Sequence, residues 1–278
     1  MSTQEQNKTS HNPVSGSEIF KDADLIFVSD VHMEGEYDQK AAQLMAVIKN
    51  CHSAGVKNFV LGGDICEFFW ARSKYFMNKF SFLFKELEKL SNSPTDVYFI
   101  QGNHEYCMEE ISLPGVRILE ADGASLKIKS GEKTLKVGIS HGDLLNAPAS
   151  YLKFKKLVNS SFFKFFFSMI PSKISDNFAL NVAHQSRKKD KYRKLYHDAI
   201  LGSAKERAER EDEHAHIFGH FHYPYQAECE NGKKLLCVPS WDIPNALVLK
   251  SGHFFRVNLK KESTSVKKVE FKSISEYQ

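Results

Sequence analysis

The stretch Leu61-Gly62-Gly63-Asp64-Ile65-Cys66-Glu67 decides how the rest of the chain is read. It continues a short apolar run, Asn58–Leu61, that reads as a buried strand. Two glycines then allow a tight turn and a close approach of backbones. A single carboxylate, Asp64, is left at the strand end. One such Asp has an ordinary reading as a solvated loop residue. Recurrence of the same design changes its weight.

Leu25–Val28 runs into Ser29-Asp30-Val31-His32, and Val97–Ile100 into Gln101-Gly102-Asn103-His104-Glu105. Leu135–Ile139 leads to Ser140-His141-Gly142-Asp143, and His216–Phe218 to Gly219-His220-Phe221-His222. Each strand delivers Asp, Asn or His just past its carboxyl end. In open α/β sheets ligands bind outside those ends. Oxygen and imidazole donors gathered there suit divalent first-row metals such as Mn, Fe, Co or Zn.

Working outward, Ala41, Leu44, Met45, Val47 and Ile48 repeat at helical spacing within Asp38–Cys51, which makes a βαβ unit with its flanking strands. Phe76–Leu90 repeats at the same period, with Pro94 just beyond. Later the texture turns antiparallel, with hairpin turns at Ser130-Gly131, Asn231-Gly232 and Ser251-Gly252. Two packed sheets with helices outside account for both textures, a mixed α/β fold. Residues 1–21 are polar and predict a disordered tail; residues 261–278 predict a second polar tail. Between them, 22–260 reads as one domain with a helical cap inserted over about 147–213. Lys205–Glu213 is charged throughout and predicts a solvated helix.

Bulk properties bound the function. The chain has 278 residues, 42% hydrophobic and 26% charged, with a net charge of +4, too mild to call for nucleic acid. Its five cysteines are odd in number and lack CxxC spacing, which favours a reduced, cytoplasmic setting. The polar first residues predict no signal peptide, and no apolar run of about 18 residues is visible.

Two divalent ions about 3.5–4 Å apart form a clamp for in-line displacement at phosphorus and acidify a bound water. Asp64 is the candidate bridging carboxylate. One metal would take Asp30, His32 and His222, the other Asn103, His141 and His220. Glu67 and Asp143 are candidates for orienting these ligands from behind. His104 is expected to point elsewhere, contacting the scissile phosphate or protonating the leaving oxygen.

Asp30-x-His32, Gly63-Asp64-x-x-Glu67, Gly102-Asn103-His104-Glu105, His141-Gly142-Asp143 and Gly219-His220-x-His222 resemble, in order, the motifs of the calcineurin-like metallophosphoesterases. The resemblance spans about Leu25 to His222. It implies a four-layer αββα sandwich with two mixed sheets, and a dinuclear centre of Mn, or of Fe and Zn. The long insertion before Gly219 is similar to that of the UDP-2,3-diacylglucosamine pyrophosphohydrolases. That resemblance implies water attack on a pyrophosphate, giving UMP and an acylated sugar 1-phosphate. Where that family reads Gly-Asn-Arg-Asp, this chain reads Gly102-Asn103-His104-Glu105.

Within the insertion, Tyr151–Ile170 interleaves aromatics, among them Phe162 and Phe166, with Lys153, Lys155, Lys156 and Lys164. Two readings are open: a cap helix packing onto the core, or an apolar face for acyl chains and a membrane surface. Asp176–Leu201 predicts a helix with a basic cluster that includes Arg187 and Lys191, either a solvated face or a phosphate contact. The function classes that follow are a lipid-linked pyrophosphate hydrolase at the inner face of a membrane, a soluble phosphoesterase acting on nucleotides or phosphoproteins, and a metal-free scaffold. The full ligand set argues against the last. A monomer and a homodimer are both compatible with the Phe-rich helix.

Overall fold

In the computed structural model, which describes residues 16–168, 197–260 and 263–273, the strands leading into the motifs lie side by side. β1 (Leu25–Val28), β2 (Asn58–Leu61), β4 (Asp96–Ile100) and β6 (Val116–Leu119) run parallel in one sheet. β12 (Asn245–Lys250), β13 (His253–Lys260) and β14 (Ser263–Lys268) extend it antiparallel beyond β1. The order is β14-β13-β12-β1-β2-β4-β6.

A second, six-stranded sheet is also mixed. β7 (Ala124–Ser130) and β8 (Lys133–Ser140) form the hairpin expected at Ser130-Gly131. β8 pairs in parallel with β9 (Ala215–Phe218), and β9 with β11 (Lys234–Cys237). β10 (Tyr225–Glu228) and β15 (Lys272–Ser273) complete the far edge. A two-stranded ribbon, β3 (Phe69–Trp70) with β5 (Glu105–Tyr106), stands apart.

Side-chain alternation sets the layers. Leu25 and Phe27 face the space between the sheets, where Val60, Tyr98, Ile100, Val137, Ile139 and Ile217 meet them. Ile26, Val28, Phe59, Leu61, Val97 and Phe99 face the other way, onto helices. Burial on both faces is why these strands read as unbroken apolar runs. The outer helices here are α1 (Gly16–Phe20), α2 (Gln39–Ala54), α3 (Lys74–Lys79) and α4 (Ser81–Ser91). Asp38 caps α2 by accepting the N–H of Lys40, and Gly55 ends it in the left-handed region. On the far side, α7 (His197–Arg210) packs Ile200, Leu201, Ala204 and Ala208 onto Phe218 and Leu235. Helix, sheet, sheet, helix is the expected four-layer sandwich.

Four expectations need correction. The amino-terminal tail is shorter than 1–21, because Ile19 and Phe20 of α1 are buried in the helix-side core. The carboxyl tail is not frayed from 261, since β14 and β15 each join a sheet edge. The helix expected over Phe76–Leu90 is two helices, broken at Phe80, whose buried ring packs on Phe69 at 5.9 Å. Lys205–Glu213 is not solvated throughout: Arg207 and Glu213 are buried beneath α7 and beyond it, with Arg207 paired to Asp122.

The cap begins with α5 (Ala149–Val158) and α6 (Ser161–Ser168). Arg187, Lys191 and most of the helix expected over 176–201 lie outside the described residues. All five cysteines are buried free thiols. Among the described residues no helix is long and apolar enough to cross a membrane.

Candidate metal centre

The loops at the strand ends are stitched together before any side chain acts. Asp30 N–H donates to Gly63 O at 3.0 Å, His32 N–H to Asp64 O at 3.0 Å, and Gly219 N–H to His141 O at 2.8 Å. A Cβ at Gly102 would sit 2.2 Å from Asp64 Oδ1, and one at Gly63 would sit 2.6 Å from His141 Nδ1. These glycines are therefore required by close approach. The backbone turns sharply at the candidate ligands themselves. Asp30 (φ 53), His32 (φ 52), Asp64 (φ 51), His220 (φ 67) and His222 (φ 56) all occupy the left-handed region. Non-glycine residues rarely do so, and such strain collects at functional sites.

The side chains then converge. Asp30, His32 and His222 bring ligand atoms within 4.8 Å of one another, as do His32, Asp64 and His104, and Asp64, His141 and His220. Asp64 belongs to two of these groups and so lies between the two halves of the site. His222 Nε2 is 3.2 Å from Asp30 Oδ1 and 3.3 Å from His32 Nε2. His141 Nδ1–H donates to Gly62 O at 2.9 Å, which leaves Nε2 facing Asn103 Oδ1 at 3.1 Å and Asp64 Oδ1 at 3.4 Å. Imidazole nitrogens and carboxylate oxygens thus point at shared space. That donor set fits first-row divalent cations.

The electrostatics agree. Burial pushes the Asp64 carboxyl up, but the imidazoles of His141 and His104 outweigh it and hold it well below the usual range. Asp30 is likewise held low, burial being overcome by His222. Burial drives His32 down to about 3, so its ring is neutral. Burial also opposes charge on His141, yet Asp64 beside it lifts that group to about 10. Two ionised carboxylates in a dry crevice make a cation-seeking field.

The other expected residues fall as follows. Glu67 Oε2 faces His32 Nδ1 at 3.6 Å. His104 does not point away from the cluster: its ring meets that of His32 at 4.8 Å, Nδ1 bonds Glu67 O at 2.6 Å, and Nε2 lies 3.9 Å from Asp64 Oδ2. Asp143 accepts from the cap, with Tyr151 Oη at 2.5 Å and Lys155 Nζ at 2.6 Å on the same oxygen. Phe162, on α6, is 73% exposed. Phe166 belongs to the same helix, but its side chain lies outside the described set.

Sequence reasoning gave no role to three residues that build the site. Glu105, wholly buried, accepts the N–H groups of Asp64, Ile65, Cys66 and Gly102 at 2.7–3.0 Å. Burial and the Asp64 charge raise it to about 7. Ser29 Oγ–H donates to Asp30 Oδ2 at 2.6 Å. Trp241 N–H donates to Asp30 O at 3.1 Å, and its ring is buried. Ser29 adjoins a motif residue, Glu105 closes the Gly102-Asn103-His104-Glu105 motif, and Trp241 had as its one signal the loose likeness of Ser240-Trp241-Asp242 to a Gly-Asp-Trp region.

A family profile described as calcineurin-like phosphoesterase matches residues 24–224. The UDP-2,3-diacylglucosamine hydrolase of Wigglesworthia glossinidia brevipalpis is 26% identical over 254 residues, covering 84% of this chain and 91% of that one. The enzyme of the same name from Neisseria meningitidis serogroup A / serotype 4A is 24% identical over 170 residues, 58% of this chain and 66% of the relative. The match thus spans just under two thirds of the Neisseria protein. Among solved structures, Vacuolar Protein Sorting 29 from Cryptosporidium parvum aligns with a TM-score of 0.47 at 14% identity, over 90% of this chain and 97% of that one.

Proposed function

The chain belongs to the calcineurin-like phosphoesterase family, and from that premise we propose that it is a dinuclear-metal phosphoesterase that hydrolyses the pyrophosphate of a lipid-linked nucleotide sugar. The observation that carries this reading is the sharing of Asp64 between the His32 group and the His141–His220 group. A bridging carboxylate flanked by two imidazole sets is what a pair of cations needs. Asp30, His32 and His222 would hold one ion, and Asn103, His141 and His220 the other. The ions are Mn, with Fe and Zn as alternatives. When bound, they neutralise the phosphate and supply hydroxide near neutral pH.

The protein's own groups do the rest. Gly62 O fixes the His141 tautomer, so Nε2 is the ligating atom. Glu67 O accepts the Nδ1–H of His104 and turns Nε2 into the cluster, where it donates toward a phosphate oxygen or the leaving oxygen only as the imidazolium. Serine and backbone N–H donors on Asp30 and Glu105 keep the carboxylates rigid.

The substrate in this reading is UDP-2,3-diacylglucosamine, cleaved by water to UMP and 2,3-diacylglucosamine 1-phosphate. Relatives bearing that enzyme name support it. So does the first part of the cap, where Leu152, Phe154, Leu157, Phe162 and Phe165 are exposed. Fully burying side chains of this size on an acyl chain or membrane contributes roughly 1.5–3 kcal/mol each. Exposed Lys153 and Lys156 would meet anionic headgroups at the inner face of the membrane. Arg187 and Lys191 are assigned to the substrate phosphate or the same surface.

A second reading, a soluble phosphoesterase for nucleotides or phosphoproteins, is favoured by one contact. Phe163 packs on Trp70 at 6.4 Å, so part of the aromatic helix serves the core. Turnover of UDP-2,3-diacylglucosamine in Mn-containing buffer, read as UMP, separates the two. The first reading expects UMP release that rises with detergent or liposomes. Hydrolysis of a chromogenic diester with no UMP from the lipid substrate would overturn it.

A further inference from the structure

Among the described residues, α5 and α6 are each fastened to a segment that runs on from a motif loop of the metal centre. α5 is held by Asp143, two residues after His141. One carboxylate oxygen, Oδ2, takes Tyr151 Oη at 2.5 Å and Lys155 Nζ at 2.6 Å. Tyr151 and Lys155 are four residues apart and so share a face of α5. Asp143 is buried, and its other oxygen has no hydrogen-bond partner among the described residues. Lys155 is thus the cation that compensates a buried charge, and its own side chain is only 19% exposed. α6 is held at the far end. Phe163 packs on Trp70 of β3, and Lys164 pairs with Glu109 just past β5. β5 begins at Glu105, the residue that clamps the Asp64 and Gly102 loops.

Resting on the lipid-substrate reading above, we propose that the Asp143–Tyr151–Lys155 contact is the seat of the cap, and that it sets the preference for an acylated over a small phosphodiester. In this role Asp143 is a positioning residue that acts through α5 and touches no ligand. The exposed apolar residues Leu152, Phe154 and Leu157 lie on the helix this seat orients. Releasing the seat lets those side chains drift from the phosphate site. A large substrate that spans both then loses its alignment, while a small diester held by the ions alone does not. A buried carboxylate stripped of its cation also drives local opening.

The test is the Tyr151→Phe/Lys155→Met double variant, with Lys155→Arg as the conservative control. Two measurements are made on the Mn-loaded protein. Amide hydrogen exchange is followed across 149–158 and, as an internal reference, across 133–140. KM and kcat are measured for UDP-2,3-diacylglucosamine and for bis(p-nitrophenyl) phosphate. The expected result is at least tenfold faster exchange in α5 with none in β8, and a tenfold or greater rise in KM for the lipid substrate alone. Metal content stays at two ions per chain, and Lys155→Arg keeps both readouts at their wild-type values. Unchanged α5 exchange would overturn the seat. Faster exchange with equal losses on both substrates would overturn its role in preference. Wild-type protein that cleaves the diester and not the lipid substrate overturns the substrate reading, and with it the preference, while the exchange result still decides the seat.

Discussion

Glu105 carries the backbone of Asp64. Its Oε2 accepts the Asp64 N–H and the Gly102 N–H, both at 2.9 Å, while Oε1 accepts from Ile65 and Cys66. Two loops some forty residues apart are thereby held on one carboxylate. Glu105→Gln keeps the shape and turns an NH₂ group toward two of those donors. A buried donor left unsatisfied costs about 1–3 kcal/mol. The variant should lose on the order of 3 kcal/mol of stability and bind metal more weakly. An unchanged urea midpoint would remove Glu105 from this role.

Asp64→Ala should abolish hydrolysis and lower metal content below two ions per chain. The variant deletes the one carboxylate common to both halves of the site. Elemental analysis alongside a diesterase assay checks it, and retained activity would rule out the bridge.

His104→Ala should slow turnover by about 10²–10⁴-fold, the range for a positioned general acid. Metal content should hold, because Asp64, His32 and His141 remain. Its ring nevertheless sits 4.8 Å from that of His32. Loss of an ion in this variant would make His104 a ligand rather than an acid.

Acid should destabilise the fold through His216 and Glu213. His216 is wholly buried, with Nδ1 on Glu213 at 2.7 Å and Nε2 on Ser140 at 3.0 Å. Burial holds its pKa below 6.5 in the folded state. Below about 6.5 the unfolded chain therefore binds a proton that the folded chain refuses, and stability falls. Glu213 is also lowered, burial being outweighed by its bond to His216. Its contribution is present above the unfolded value of about 4.5 and is lost as pH falls through its folded value. Urea midpoints from pH 7 to pH 5 should decline, and less steeply in His216→Gln. Parallel profiles would count against the buried pair.

Replacing Phe162 and Phe165 together by Ser should leave the melting temperature nearly unchanged, since exposed positions shift stability by about 0.5 kcal/mol or less. Both rings are more than half exposed. Co-sedimentation with anionic liposomes should drop severalfold. A large fall in melting temperature with intact liposome binding would favour packing over an interfacial face.

Much of the site was legible because short apolar strands, buried on both faces, stop abruptly at polar residues. Leu25–Val28 and Asn58–Leu61 end on residues that cannot continue a buried strand, so Asp30 and Asp64 were exposed to reading. Glu105 was quoted in a motif but its task was hidden, since its partners are backbone N–H groups of another loop. The cap contacts of Asp143 were hidden for a related reason. Its partners Tyr151 and Lys155 come from a cap whose pose no periodicity encodes. The helix α1 escaped notice because only Ile19 and Phe20 anchor it, too few to show a period. Phe80 interrupts a helix whose apolar spacing runs straight through the break, because packing on Phe69 overrides propensity.

The left-handed backbone at Asp30, His32, Asp64, His220 and His222 also bears on transplantation. Each such residue costs roughly 1–3 kcal/mol and persists only where its surroundings over-determine it. An engineer who copied the seven side chains onto a foreign scaffold would meet that penalty several times over, without the Glu105 clamp or the glycine contacts that sustain it here. The graftable unit is the whole set of strand-end loops with their sheets, and directed evolution of new phosphoester preferences from this protein should start at the cap and leave those loops alone.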